Sequence, residues 1–183
     1  CLVFHHLYPN PEYINAFLPQ EKRVELDPFQ TRKYSDSFFL DTFLEFSQFG
    51  KVEDMFVCSN ISKHLYGNVY VRFTEVDGAM ACHEALKGRF YAGRKVESTF
   101  LPLEKLSYAL CKNNIEGTCV YGDICPFPHR MLVSKHILLE CFPKQEQTTP
   151  EELLSVKITP FFDDPNDIVQ GKTMFFKMNQ SQE

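Results

Sequence analysis

The sequence predicts an α+β fold, in which an antiparallel four-stranded sheet with two helices on one face is joined to a metal-binding module. Hydrophobic patterns alternate between the strand period and the helix period through the first hundred or so residues. A cluster of three cysteines and one histidine follows them. The chain has 183 residues, 44% of them hydrophobic and 18 of them Phe, which is enough for one medium-sized domain or two small ones with a real core.

The first half of the sheet domain is predicted from a short strand at 13–18, a loop and a helix. The loop at 19–33 is charged and broken by proline. Ser35 or Ser37 can cap the helix, which runs to about Phe46 with phenylalanines recurring on one face.

Two further strands, a helix and a last strand complete the domain. The strands are predicted at 51–58, 66–73 and 95–101, where β-branched and aromatic residues are frequent. Thr74, followed by an acid three residues on, resembles a capping box for a helix that stops at Gly88. The order β-α-β-β-α-β is the split βαβ arrangement of ferredoxin-like folds and matches an RNA-recognition-motif (RRM) fold.

The strongest chemical signal is the set Cys111, Cys119, Cys125 and His129, separated by seven, five and three residues. Short, unequal loops between soft ligands suit a tetrahedral Zn²⁺ ion. No strand or helix period runs through this stretch, so metal is expected to supply its folding free energy. Unrelated buried thiols are the weaker interpretation for ligands this close together. A CCCH zinc finger is therefore predicted.

Cys1 and His5 repeat the three-residue gap between the last two ligands of that finger. Alone such a pair is a weak signal, but the complete copy downstream favours the end of a preceding finger. The predicted domains are a finger remnant at 1–12, an RRM-like domain at 13–103, a second finger at 104–135, and a helical or irregular tail at 136–183. Beyond the metal ligands, helices are predicted at 132–141 and from Thr149.

The net charge, the cysteine count and the length of the apolar runs exclude several classes of protein. The net charge of −5 argues against a chain-wide attraction to nucleic acid, so any RNA contact must be local. The remaining cysteines, Cys58, Cys82 and Cys141, have apolar neighbours, and an odd cysteine count beside a zinc pattern indicates a reducing compartment. No apolar run approaches the ~20 residues of a membrane span, and no signal peptide is predicted. A closed four-ligand zinc pattern leaves no open position for catalysis, so no enzyme is predicted.

The octamer at 66–73 departs from that of an RNA-binding RRM. Its first position lacks a basic residue, and Asn68 stands where the first stacking aromatic is expected. Tyr70 remains, while Phe73 fits a core position equally well. The sheet is therefore expected to bind RNA poorly.

An Arg followed by two large aromatics, Arg89, Phe90 and Tyr91, lies in a predicted loop where small polar residues are usual. One ring could cap the core. Alternatively, the loop forms a protein-binding pocket, in which rings pack on a partner's anchor residue. The acids Asp41 and Glu45 on the first long helix would then face a basic partner peptide, or else they are simply solvated.

Together these residues resemble the small subunit of the U2 auxiliary factor (U2AF), a family of splicing factors. The resemblance covers roughly residues 1–135 and is carried by the finger spacing, the degenerate octamer, the Arg-x-aromatic loop and stretches such as FFLDTFLEFSQFGKVEDM, LYGNVYVRF and GRFYAGRKV. It implies a U2AF homology motif (UHM) flanked by CCCH fingers. The UHM would bind a Trp-bearing peptide of the large subunit through Arg89, Phe90 and Tyr91, with Asp41 and Glu45.

The same resemblance implies that paired fingers read the AG dinucleotide of the pre-mRNA 3′ splice site, in the nucleus and among other spliceosome components. The residues expected at the RNA are Phe127, Tyr121, Lys112, Arg130 and Phe4, although Phe127 could instead pack on the zinc core. The near-neutral finger leaves two alternatives open: an interaction scaffold whose fingers contact no RNA, and a relative acting at minor-class introns.

Overall fold

The computed structural model describes residues 1–143. Its strands and helices are β1 (Leu2–Phe4), α1 (Pro11–Phe17), α2 (Pro28–Ser47), β2 (Val52–Val57), β3 (Val69–Phe73), α3 (Val76–Leu86), β4 (Phe90–Tyr91), β5 (Arg94–Lys95), β6 (Ser98–Phe100), α4 (Lys112–Ile115) and α5 (Lys135–Cys141). Short 3₁₀ turns lie at Gln20–Lys22, Leu106–Tyr108 and Gly122–Ile124. No helix in this range is both long and apolar enough to cross a bilayer.

The main sheet has four strands in the order β2-β3-β1-β6, and all its pairings are antiparallel. β1 and β3, which lie at its centre, are separated in the chain by α1, α2 and β2. This is the strand order of the split βαβ arrangement, and the predicted α+β fold class is confirmed.

The first strand was predicted in the wrong place. β1 consists of Leu2–Phe4, buried throughout and paired with both β3 and β6. Residues 13–18 lie instead almost wholly in α1, because the Asn10 side chain accepts hydrogen bonds from the Glu12 and Tyr13 amides and caps a helix there. Leu2–Phe4 therefore belong to the sheet domain, and residues 1–12 are not a separate finger remnant.

α2 is also longer than predicted. It begins at Pro28, after Asp27, whose carboxylate accepts a hydrogen bond from the Phe29 amide. Asp followed by Pro is a strong helix start, since proline has no amide to leave unsatisfied. The predicted loop therefore ends at Asp27 rather than at residue 33, and neither Ser35 nor Ser37 is the cap.

Two smaller predictions also fail locally. The Thr74 hydroxyl donates to the Lys51 carbonyl rather than capping α3, which begins two residues later. The predicted loop around Tyr91 is a hairpin of β4 and β5, and its turn residues Ala92 and Gly93 both have positive φ. A two-residue turn with positive φ at both positions matches the twist of a hairpin.

The helices pack on one face of the sheet. Phe4 of β1 stacks on Phe46 of α2 with ring centroids 4.6 Å apart, and both side chains are fully buried. The third helix of this layer is α5, which confirms the helix predicted at 132–141. Asp36 accepts hydrogen bonds from the amide and hydroxyl of Ser134, and Phe142 lies edge-on to Phe43. The helix predicted from Thr149 lies outside the described residues.

The opposite face of the sheet is covered by the segment 101–110, which leads to the metal-binding module. Leu106 is buried there against Phe56 and Tyr70, whose rings stack 4.6 Å apart at 8°. An RRM normally exposes such rings to unstacked bases. In this protein the usual stacking surface is closed.

Candidate functional site

The four predicted metal ligands converge. One ligand atom from each of Cys111, Cys119, Cys125 and His129 can be chosen so that all lie within 4.8 Å of one another. The Cys111 sulfur is 3.9 Å from that of Cys119 and 3.8 Å from that of Cys125. A tetrahedral ion with bonds of about 2.3 Å, as in zinc–thiolate sites, separates its sulfurs by about 3.8 Å.

The histidine supports the same geometry. The Nε2 atom of His129 is buried and has no hydrogen-bond partner among the described residues. An unpaired buried ring nitrogen costs free energy unless something binds it. Beside sulfurs 3.8 and 3.9 Å apart, this atom fits a metal ion, and a tetrahedral ion bound by all four residues would have no open coordination position.

Backbone amides stabilise negative charge on the sulfurs. Desolvation raises the pKa of the Cys111 thiol, but hydrogen bonds from nearby groups, led by the Asn114 amide, outweigh it and leave the pKa below its usual value. For Cys125, burial outweighs the hydrogen bond from the Phe127 amide and raises the pKa. Three sulfurs this close together cannot all carry negative charge without a counter-charge. A bound cation supplies that charge and holds all three as thiolates.

The finger is attached to the sheet domain through Asn60, a fully buried residue that sequence reasoning missed. Its Nδ2 donates to the carbonyls of Cys125 (3.2 Å) and Phe127 (3.1 Å), and its Oδ1 accepts from the His129 amide at 2.7 Å. One side chain thus satisfies three backbone groups around the last two ligands. An Asn in a turn carries no sequence signal for such a role.

The end of β2 continues this attachment. The Met131 amide donates to the Val57 carbonyl (2.8 Å), and Cys58 forms an isolated antiparallel bridge with Arg130. The Ser59 amide donates to the carbonyl of His129 at 3.0 Å. The finger is therefore held in register with the sheet, and the two parts form one unit.

Cys1 and His5 do not join the cluster, and the prediction that they are ligands of one metal is wrong. They lie at the two ends of β1, and four residues of strand span about 13 Å. The Cys1 thiol donates to the Leu103 carbonyl, and the His5 ring lies 3.0 Å from the Thr99 hydroxyl. Burial lowers the pKa of His5.

The five predicted partner-binding residues form two internal pairs beside a half-buried ring, that of Phe90. The guanidinium of Arg89 lies 2.8 Å from the carboxylate of Glu45, which is fully buried. Tyr91 is 1% exposed, and burial, followed by the charge of Asp41, raises its pKa well above the usual value. Tyr91 thus caps the core, and the acids are buried rather than solvated.

The predicted RNA contacts separate into exposed and buried residues. Tyr121 and Phe127 are each 60% exposed, so Phe127 does not pack on the metal core. Lys112 is exposed in α4, and Arg130 is partly exposed, 3.6 Å from the Asp54 carboxylate. Phe4 is fully buried in the core, so its assignment to the RNA interface is wrong.

The finger exposes more apolar surface than its sequence predicts. Besides the two aromatic rings, three large aliphatic side chains are exposed, those of Ile115, Val120 and Ile124. Their spacing has no helix or strand period, so pattern reasoning could not place them on a surface.

Comparison with known proteins supports this organisation. Residues 43–97 match the model of the RNA recognition motif family. The chain is 33% identical over 147 residues, 80% of its length, to a splicing factor U2af small subunit of Arabidopsis thaliana, of which it covers 52%. It is 37% identical over 103 residues to the splicing factor U2AF 23 kDa subunit of Schizosaccharomyces pombe, and the match covers 56% of this chain and 48% of that protein.

The U2AF 26 kDa subunit of Homo sapiens is 32% identical over 138 residues, which are 74% of this chain and 62% of that protein. This chain spans about half to three fifths of the length of these relatives. The residues that match the family model include β2, β3 and α3 of the sheet domain. By sequence and by architecture, the chain belongs to the U2AF small-subunit family.

Proposed function

We propose that this protein is a non-enzymatic, nuclear pre-mRNA splicing factor that binds RNA through a zinc finger and a large-subunit partner through its UHM. The observation that supports the proposal is a contrast between the buried face of the sheet and the exposed rings of the finger. The sheet face used by an ordinary RRM is closed by Leu106, whereas the finger exposes Tyr121 and Phe127. Zn²⁺ bound by the four ligands fixes the loops that present these rings.

The RNA partner is the 3′ splice site of pre-mRNA, whose AG dinucleotide is read as a single strand. Tyr121 and Phe127 stack on bases, and each ring contributes about 1–3 kcal/mol. Lys112 and Arg130 contact phosphates, which position the strand without reading its sequence. Further contacts come from a preceding finger, as in the two-finger arrangement that the family resemblance implies.

The protein partner is a Trp-bearing peptide of the large subunit, within the assembling spliceosome. Arg89 and Glu45 form a buried ion pair beside the binding surface, and Phe90 supplies a half-buried ring. Tyr91, next to Asp41, fixes the hairpin that carries Phe90. The peptide's Trp packs against the Phe90 ring, and the two buried acids act indirectly, by holding Arg89 and Tyr91 in place.

The RNA assignment is tested by titrating zinc-loaded protein with short single-stranded RNAs that contain or lack AG. Tyr121→Ala and Phe127→Ala are each expected to weaken binding about 5- to 150-fold, since a stacking ring is worth about 1–3 kcal/mol. Phe17→Ala is the matched control, because Phe17 is an exposed ring that belongs to α1 rather than to the finger. Equal affinities for all four proteins would refute RNA binding by the finger.

The partner assignment is tested with a Trp-bearing peptide and its Trp→Ala counterpart. Arg89→Glu places two acids side by side and is expected to abolish Trp-dependent binding. Glu84→Gln, an exposed acid on α3, serves as the control and should bind normally. Trp-dependent binding that survives in folded Arg89→Glu protein would remove this part of the proposal.

A second candidate is an interaction scaffold whose finger contacts protein only, and the exposed apolar residues Ile115, Val120 and Ile124 favour it. The salt dependence of RNA affinity distinguishes the two functions. A finger that contacts phosphates must bind RNA more weakly as salt rises, since counterions are released on binding. A scaffold would show no RNA binding even at low salt. Action at minor-class introns would appear as a preference among intron sequences in the same titration.

A further inference from the structure

A cleft of about 640 Å³ lies where the finger meets the helical layer. Its walls come from four separate parts of the chain: the segment after β1, the start of α2 with the residue Leu26 before it, Ser59 after β2, and the finger with the residues that follow it. Clefts of this size hold nucleotide-sized ligands, since small-molecule sites span roughly 300–1,000 Å³. The lining includes Glu12, Arg32, Asn114, Asp123, His129 and Arg130.

The α2 wall contributes a cation, Arg32. Arg32 is half-buried and forms no ion pair among residues 1–143. The other guanidinium of the lining, that of Arg130, lies 3.6 Å from Asp54. Arg32 is therefore the cation of this cleft best placed to bind an anionic group, and its planar fork matches a phosphate.

The finger wall carries an acid whose backbone is fixed. Asp123 lies in the 3₁₀ turn Gly122–Ile124, two residues before a metal ligand, and its carbonyl accepts a hydrogen bond from the Ile61 amide at 2.9 Å. The turn is thus tied to the sheet domain as well as to the metal. Its carboxylate can accept two parallel hydrogen bonds and donate none.

We propose that this cleft binds one guanine nucleotide of the single-stranded RNA, with Asp123 accepting from the base and Arg32 binding a phosphate. Guanine presents two adjacent donors, N1–H and N2–H, on the edge that an unpaired base leaves free. Adenine presents an acceptor at N1, which repels a carboxylate, and uracil presents a single donor. A carboxylate therefore favours guanine. The inference rests on the proposed RNA-binding function and assigns the guanine of AG to a place.

The test uses zinc-loaded protein and two short RNAs that differ only in AG against AA. Asp123→Asn is expected to reduce the preference for AG about tenfold, because an amide cannot accept both guanine donors. Glu116→Gln is the matched control, since Glu116 is an exposed acid of the same finger that does not line the cleft. Arg32→Gln is expected to weaken both RNAs alike and to reduce the salt dependence by about one phosphate contact. Lys33→Gln, one residue along the same helix, should change neither.

A second measurement tests the guanine site without relying on RNA affinity. GMP, but not AMP, is expected to shift the backbone amide resonances of Asp123 and Asn114 in the unaltered protein. An unchanged AG preference in Asp123→Asn, in a protein that reads AG, would overturn the guanine site and leave the proposed function standing. Failure of the unaltered protein to bind either RNA would overturn both.

Discussion

The finger and the sheet domain differ in what stabilises their folded structures. The sheet domain buries a large apolar cluster between strands and helices, whereas the finger leaves most of its large apolar side chains exposed. A segment with so little apolar burial cannot offset the conformational entropy lost on folding. The metal proposed for the Cys₃His cluster would take the place of a core there. The contrast explains why Asn60 matters, because it joins the finger to a part that folds by burial.

Removal of zinc is expected to have the largest effect and to act locally. Structural zinc contributes about 10–16 kcal/mol of apparent binding free energy in finger peptides. A strong chelator should therefore release the amides of residues 111–129 to hydrogen exchange, while β1 and β3 stay protected. Zinc added back should restore protection. Uniform protection after chelation would mean that the finger has a core of its own.

Truncation of a core side chain should lower the stability of the whole sheet domain rather than act locally on the finger. Phe46→Ala removes a fully buried ring stacked on Phe4 and is expected to cost about 3–5 kcal/mol of global unfolding free energy. Urea unfolding measures the loss. Phe29→Ala, at an exposed ring of the same helix, should cost far less. Similar losses for the two variants would contradict the assignment of α2's buried face.

Asn60→Ala tests the junction itself. It leaves two carbonyls and one amide without their partner, and each unsatisfied group costs about 1–3 kcal/mol when it stays buried. We expect faster zinc release to a chelator and a smaller fall in the stability of the sheet. Asn113→Ala, an exposed amide in α4, is the control. Unchanged zinc release in Asn60→Ala would show that β2 pairing alone holds the finger.

The smallest effect is expected at the finger surface. Val120 is 86% exposed, so Val120→Ser should change stability by about 0.5 kcal/mol or less. The same change at buried Val57 of β2 should be far more costly, since it removes packing and buries a hydroxyl. Thermal unfolding of the two variants compares the regions directly. Comparable losses would mean that Val120 is covered in solution.

The sequence predicted best those features in which local pattern and tertiary structure agree. β2, β3 and α5 follow their hydrophobic patterns, and the four finger ligands follow from spacing alone. β1 was missed because three residues are too short for a strand period. The Cys1 and His5 pair then suggested a finger instead. The sequence of α1 favours a strand because its apolar residues, such as Ile14 and Phe17, are exposed and form no buried helix face.

The predicted sites show a similar division. The sequence groups Arg89, Glu45, Asp41 and Tyr91 and allows one ring of the loop to cap the core, as Tyr91 does, but it does not predict that the acids are buried. Burial of a charged pair depends on the partner that a distant segment supplies, here across 44 residues, and no local pattern encodes that. For the same reason, the contacts of Asn60 with the finger could not be anticipated from its sequence neighbours.

The segment between β6 and Cys111 constrains how the chain can change. Connections between domains usually tolerate insertions, because they run over the surface without fixed contacts. This one is anchored at both ends, by Leu101 on the Cys1 carbonyl and by Cys111 on the Pro128 carbonyl, with Leu106 inserted into the sheet between them. One added residue would shift either Leu106 or the finger out of register. The length of this linker is therefore fixed by its contacts. We expect insertions and deletions in it to be tolerated as poorly as substitutions in the core.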